Sequence, residues 1–285
     1  MTDPGRPVLF DTLEPSDAGH ERVSATDFSR GPWNRDHCHG GPPSALLARA
    51  CERFDDPDSD PAVEWNLARI TIELMRPVPA ARPLEIGVTA ERSGRKISLV
   101  AARLRDEESG ADVAVARALR IRRADVALPT HPRPDDEIDG DPADGELVRP
   151  DWSLDDGGTA FHRSANEHRF TSGSWNEDGP CRVWIRLLAD VVAGERPTGT
   201  QRAVAAADFG NGVSGALPAE EITYINPDLT VHLARPPEGE WIGLASHSVY
   251  GTATESTGAG YAESALHDRR GRLGRSVQSL IIQPI

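Results

Sequence analysis

Two stretches of this 285-residue chain carry the same succession of motifs about 160 residues apart. The first passes from an apolar helical segment, Gly40 to Phe54, to Arg76-Pro77, a strand opening at Leu84, and a hairpin through Asp106 and Gly110. The second passes from an apolar helical segment ending near Asp208 to Arg235-Pro236, a strand opening at Trp241, and a hairpin through Asp268 and Gly271. Pro77 and Pro236 are 159 residues apart and Gly110 and Gly271 are 161 apart, so the register holds across both landmarks. A repeat of this size constrains the chain to two copies of one module packed around a cleft. Function is then to be sought where the copies differ, and the second carries the more distinctive polar residues.

Within the first copy, Gly40 and Gly41 free the backbone to turn, and Pro42 and Pro43 suit a first helical turn, where missing donors cost little. Ala45, Leu46, Leu47, Ala48, Ala50, Cys51 and Phe54 cover more than one helical face, which predicts a buried helix. Ile70, Ile72 and Leu74 alternate with Arg69, Thr71 and Glu73, and Leu84, Ile86 and Val88 repeat the period of two. Ile97 and Leu99, then Val113 and Val115, continue it, joined by a turn at Glu107 to Gly110. One buried helix and several antiparallel strands make an α+β module.

In the second copy, which opens near Phe161, the spacing predicts strands at Arg182–Leu187, Leu229–Leu233, Trp241–Ser248, Gly260–His267 and Arg275–Ile282. The alanine-rich segment from Thr200 to Phe209 predicts a second buried helix, ended by the glycines of DFGNG. Between the copies, 125–159 is rich in proline, glycine and acid and reads as a linker, with Trp152 as its anchor. The organisation is therefore an N-terminal module over 1–124 with a leading segment 1–30, the linker, and a C-terminal module over 160–285.

A net charge of −14 argues against a nucleic-acid partner. Three cysteines without CxxC spacing argue against a disulfide framework and for a reducing compartment. No signal peptide and no membrane span are visible, so a soluble, cytoplasmic protein without a membrane partner is expected. The candidate ligands His37, Cys38 and His39 beside Asp36 lack a fourth partner, which argues against a metal centre. No Walker or dinucleotide loop and no GxSxG elbow occur, which argues against nucleotide cofactors and a serine nucleophile.

HGGPPSALLARA, ITIELMRPVPAARPLEIGVTAERSGRKIS and AVARALRIR resemble the first half of a double-hotdog acyl-CoA thioesterase. ADFGNG, INPDLTVHLARPPEGEWIGL and GRLGRSVQSLI resemble the second half, of the thioesterase II type. The resemblance covers about 30–123 and 160–283. It implies two tandem hotdog modules, each a long central helix wrapped by an antiparallel sheet, with an acyl-CoA substrate, no cofactor, and a water held at the module interface. In that family an aspartate on the second helix, a threonine or serine on the next strand and a glutamine on the last strand hold the water. These positions fall on Asp208, Asn226 and Gln278, and Asn226 departs from the family's hydroxyl; Thr223 and Thr230 are the alternatives if the register slips.

Hydrolysis of a thioester needs an acceptor for water's proton and donors for the developing oxyanion. A carboxylate at Asp208 among alanines costs several kcal/mol if buried unpaired. Ser276, Gln278 and Leu280 share one face of their strand, and periodicity leaves open whether it points inward. Backbone N–H groups at Gly40 and Gly41 are candidate donors to the thioester oxygen, and His39 is a candidate to shape that loop or contact substrate. Arg76, Arg235 and the Arg92–Arg95 turn are candidates for CoA phosphates or ordinary surface cations. A non-catalytic acyl-binding role remains the alternative, marked by Asn226. A hotdog hydratase is disfavoured, because Val213 stands where its D-x4-H arrangement requires histidine. Chain length of the acyl group and assembly into homo-oligomers stay open.

Overall fold

In the computed structural model the chain opens with two strands inside the leading segment, β1 (Val8–Leu13) and β2 (Glu21–Ala25). The structure describes all residues except 1–4, 18, 131, 133–137, 139, 151–157, 219 and 253–256, so Trp152 lies outside the described residues. Helix α1 (Gly41–Arg53) follows, then β3 (Trp65–Glu73), β4 (Pro83–Arg92), β5 (Ile97–Asp106) and β6 (Asp112–Arg122). The linker contributes β7 (Glu146–Leu147). The second half comprises α2 (Phe161–Ser164), β8 (Asn166–Ser172), β9 (Cys181–Leu187), β10 (Asp190–Val192), α3 (Gly199–Ala207), β11 (Ile222–Ile225), β12 (Asp228–Leu233), β13 (Trp241–Val249), β14 (Ala259–Asp268) and β15 (Gly271–Pro284). All five strands expected there are present, each within a few residues of its predicted bounds.

The strands join into one sheet rather than two. Its order is β10-β1-β2-β4-β5-β6-β3-β12-β15-β14-β13-β9-β8-β7, with β11 on β15. The halves meet at β3–β12, an antiparallel seam in which Leu229 opposes Ile72 and Thr230 opposes Thr71. On either side of the seam the order β3-β6-β5-β4 is repeated as β12-β15-β14-β13. At the far end β1 pairs in parallel with β10, Val8 against Asp190 and Phe10 against Val192, so the N-terminal strand is tied to the second half.

Helix α1 packs on β3 to β6 and α3 on β9 and β12 to β14, and the two helices pack on each other. They run antiparallel: the start of α1 meets the end of α3 at Gly40 and Asp208, and Glu52 near the end of α1 accepts the Thr198 hydroxyl at 2.8 Å. Close contact depends on small residues. A Cβ on Gly41 would stand 2.7 Å from the Phe161 ring and 3.0 Å from the Ala205 carbonyl oxygen. Every residue of α1 from Gly41 to Cys51 is buried, as its all-round apolar pattern predicts. The second helix is shorter than the long central helix that the resemblance implied. It spans nine residues, because Phe209 N–H and Gly210 N–H turn back onto Ala206 and Ala207 carbonyls and tighten the end.

Candidate active site

The end of α3 places Asp208 at the C-cap, with 4 % of the residue exposed. The carboxylate is not left alone there. His39 Nδ1 lies 2.7 Å from its Oδ2, the Asn226 amide donates to its Oδ1 at 2.8 Å, and the Gln278 amide reaches Oδ1 at 3.4 Å. Four separate elements supply this cluster: the loop before α1, the α3 terminus, the β11–β12 turn and β15. Burial that would cost several kcal/mol for a solitary carboxylate is offset by three donors.

Gln278 settles the face that periodicity left open. Ser276, Gln278 and Leu280 point inward and are buried, while Ser279 and Ile281 face out. Its amide N–H also donates to the Asp208 carbonyl at 3.2 Å, and its oxygen accepts from Asn211 N–H at 3.1 Å. Both ends of the amide are thus fixed, which sets its orientation. Of the three candidates for the hydroxyl position, Asn226 is the one whose side chain bonds the Asp208 carboxylate. Thr230 is paired with Thr71 at the seam and Thr223 donates to the Gln283 carbonyl, so neither hydroxyl takes the Asn226 place.

Gly40 is required by space rather than by backbone conformation, since its φ of −65° suits any residue. A Cβ there would stand 2.8 Å from both Asp208 carboxylate oxygens. Gly41 N–H lies 3.2 Å from His39 Nδ1, and the same nitrogen lies 2.7 Å from Asp208. One ring nitrogen cannot both accept and donate. The shorter contact to a carboxylate is the charge-assisted one, so Nδ1 carries the proton and points it at Asp208. The helix start offers fewer donors than its position suggests, because Pro42 and Pro43 have no N–H and Ser44 N–H is bonded to the Gly40 carbonyl.

These groups open onto a cavity of about 380 Å³, which His39, Gly40, Asp208 and Asn226 line. Its mouth is apolar and exposed at Trp33, Met75, Ile225 and Ile281. Behind Asp208 stands an aromatic wall. Phe161 and Phe209 stack at 5.4 Å, with the His39 ring within 5.1 Å of both and His168 and Trp175 edge-on to Phe209. Burial, then the neighbouring His162 and His39, depress the His168 imidazole to about 3, so it is neutral. Cys38 also lines the cavity, but burial pushes its thiol up to about 12 and it is a poor nucleophile. Among the described residues no cluster of His, Cys, Asp or Glu has the arrangement of a metal site.

Of the arginines considered for CoA, Arg76 lines the mouth of the cavity. Arg235 does not: its guanidinium grips the Asp268 carboxylate at 2.5 and 2.6 Å and braces the β14–β15 hairpin. Sequence reasoning also missed the aromatic wall and the His39–Asp208 contact, which spans elements from opposite halves of the repeat.

The family model for the acyl-CoA thioesterase N-terminal domain matches residues 29–121, and that for the C-terminal domain matches 129–282. The chain belongs to the acyl-CoA thioesterase family. Solved structures show that it has the fold of such thioesterases. A putative thioesterase II from Thermobifida fusca superposes with a TM-score of 0.69 at 17 % identity, over 95 % of each chain. A hot dog protein of unknown function from Alicyclobacillus acidocaldarius gives 0.68 at 16 % identity, over 100 % of this chain and 95 % of that one. An acyl-CoA thioesterase II, TesB2, from Mycobacterium marinum gives 0.63 at 13 % identity, over 96 % of each. No curated protein matches this thioesterase-family chain in sequence. No helix among its described residues is long and apolar enough to cross a membrane.

Proposed function

We propose that this chain hydrolyses an acyl-CoA thioester to a free carboxylic acid and CoA by direct attack of water, without a covalent intermediate. The observation that carries this reading is the convergence of His39, Asn226 and Gln278 on the Asp208 carboxylate, beside an apolar-mouthed cavity that His39, Asp208 and Asn226 line. Asp208 supplies the negative charge behind activation of the water, and the amides of Asn226 and Gln278 fix the carboxylate. Gly41 N–H is aimed at His39 Nδ1 at 3.2 Å and, when that nitrogen carries its proton, is the helix-start donor offered to the thioester carbonyl beside Gly40. The acyl chain enters past Trp33, Met75, Ile225 and Ile281, and Arg76 at the mouth meets the polar CoA portion.

On this reading the chain is two tandem hotdog modules, 1–124 and 160–285, each built on one buried helix, with 125–159 as the linker. The three cysteines are all free, which supports a reducing compartment such as the cytoplasm.

The test is CoA release, followed with a thiol reagent, over acyl-CoAs from acetyl to palmitoyl, for the wild type and Asp208→Asn. Turnover lost in the variant supports a thioesterase and gives its chain-length preference. Tight binding of acyl-CoA with no turnover would instead favour the acyl-binding role that Asn226, in place of a hydroxyl, brings into view.

A further inference from the structure

We infer that His39 is the general base of the reaction and that Asp208 acts through it. This rests on the thioesterase reading and goes beyond it in naming the atom that takes the proton. The Asp208 side chain is 1 % exposed and its oxygens already receive three donors, so water coming from the cavity has little access to them. The His39 side chain is 14 % exposed and lines the cavity. Its Nδ1 is held at 2.7 Å by the carboxylate. Its Nε2 has no hydrogen-bond partner among the described residues and, unlike the ring nitrogens of His162, is not sealed from solvent. A carboxylate on Nδ1–H fixes the tautomer in which Nε2 carries a lone pair, and it stabilises the imidazolium that forms once Nε2 accepts a proton. The imidazole rests against the stacked pair of Phe161 and Phe209, at 5.1 and 5.0 Å from their rings, which holds its plane.

The step balances within this set. Nε2 takes a proton from water as the water oxygen bonds to the thioester carbon, and the carbonyl electron pair moves onto oxygen. That pair returns as the C–S bond breaks, and the imidazolium proton passes to the leaving thiolate. The products are the carboxylic acid and CoA thiol, with His39 neutral again.

His39→Asn separates this from a role in holding Asp208, because the asparagine amide reproduces the Nδ1–H donor but carries no basic nitrogen. The expected result is a loss of about 100-fold or more in kcat, with binding of a non-hydrolysable thioether analogue kept. In His39→Ala, added imidazole is expected to restore part of the rate. If His39→Asn stays within a few-fold of the wild type while Asp208→Asn is inactive, the thioesterase reading stands and His39 as base is overturned. If the wild type turns over no acyl-CoA, both fall together. Nitrogen-15 NMR of the wild-type imidazole gives a check independent of any variant: a neutral His39 with its proton on Nε2 would overturn the assignment.

Discussion

Thr71 and Thr230 face each other across the β3–β12 seam, hydroxyl to hydroxyl at 3.2 Å, and they are 159 residues apart. That is also the separation of Pro77 and Pro236, so equivalent residues of the repeat pair with one another and a pseudo-two-fold axis passes between them. The same spacing sets Arg49 against Asp208, Leu67 against Asn226 and Thr198 against His39. Leu67 and Thr198 line a second cavity, of about 430 Å³, between the end of α1 and the start of α3. There Arg49 is bound by Glu195 and Glu21 rather than poised over a cavity water. The second cavity has a carboxylate and an amide of its own, Glu52 accepting from Thr198 and Gln201 at 2.8 and 3.1 Å, but Arg49 and Leu67 stand where the first has Asp208 and Asn226. Titration with a non-hydrolysable acyl-CoA thioether is therefore expected to saturate at one ligand per chain, and a stoichiometry of two would show that the second cavity also binds.

Gly40→Ala places a methyl 2.8 Å from both Asp208 oxygens while asking nothing unusual of the backbone. Displacement of the carboxylate by a fraction of an ångström is expected to lower kcat/KM by about 100-fold. Circular dichroism should show the fold retained. Near-wild-type turnover would remove Asp208 from the reaction.

Gln278→Leu leaves Asn211 N–H and the Asp208 carbonyl without partners in a buried setting. Each such loss costs roughly 1–3 kcal/mol, so urea unfolding should shift by that order together with a fall in activity. Gln278→Glu keeps the shape and brings a second carboxylate beside the first. Like charges at that distance compel one to hold a proton, and activity should fall while the unfolding midpoint becomes pH-dependent.

His168 gives the fold an acid-sensitive point. Its imidazole is depressed to about 3 from 6.5, mainly by burial. Above 6.5 it is neutral in folded and unfolded chains alike and costs nothing. As pH falls from 6.5 towards 3 the unfolded chain takes up the proton first, so stability is lost across that window. Thermal midpoints should therefore drop between pH 7 and pH 5. His168→Phe, which keeps ring packing against Trp175 and Phe209, should flatten that drop; an unchanged slope would mean that other groups set it.

Met75 and Ile225 stand exposed at the cavity mouth. Met75→Ser and Ile225→Ser are expected to raise KM for long acyl-CoAs, with kcat nearly unchanged, because the rim binds substrate and transition state alike. Steady-state kinetics on acetyl- and palmitoyl-CoA would show whether the effect grows with chain length.

Much of the fold was legible because its signals are local. The alternation around Ile70, Leu84 and Ile97 gave strands near their observed bounds, and the all-round apolar character of Gly40 to Phe54 gave a buried helix. The family resemblance implied Asp208, Asn226 and Gln278, and the structure brings them together. What stayed hidden depends on distant partners. Leu9 and Phe10 are adjacent and both buried, so β1 breaks the period of two, and its parallel partner β10 is only three residues long. The His39–Asp208 contact joins a loop of one half to a helix end of the other; only the position of His39 beside two glycines hinted at a role. The inward face of β15 needed the sheet itself, since both of its faces carry polar residues.

The pairing of β1 with β10 has a consequence for how the protein is made. Chains fold from the N-terminus as they leave the ribosome, yet the partner of Phe10 is Val192, about two-thirds of the way along. The opening strand must wait, one edge unsatisfied, until most of the chain has been synthesised. Strand β1 thus cannot be fully seated before β10 is made, and a nascent chain that stops short of β10 would present that edge to chaperones or to its neighbours on a polysome.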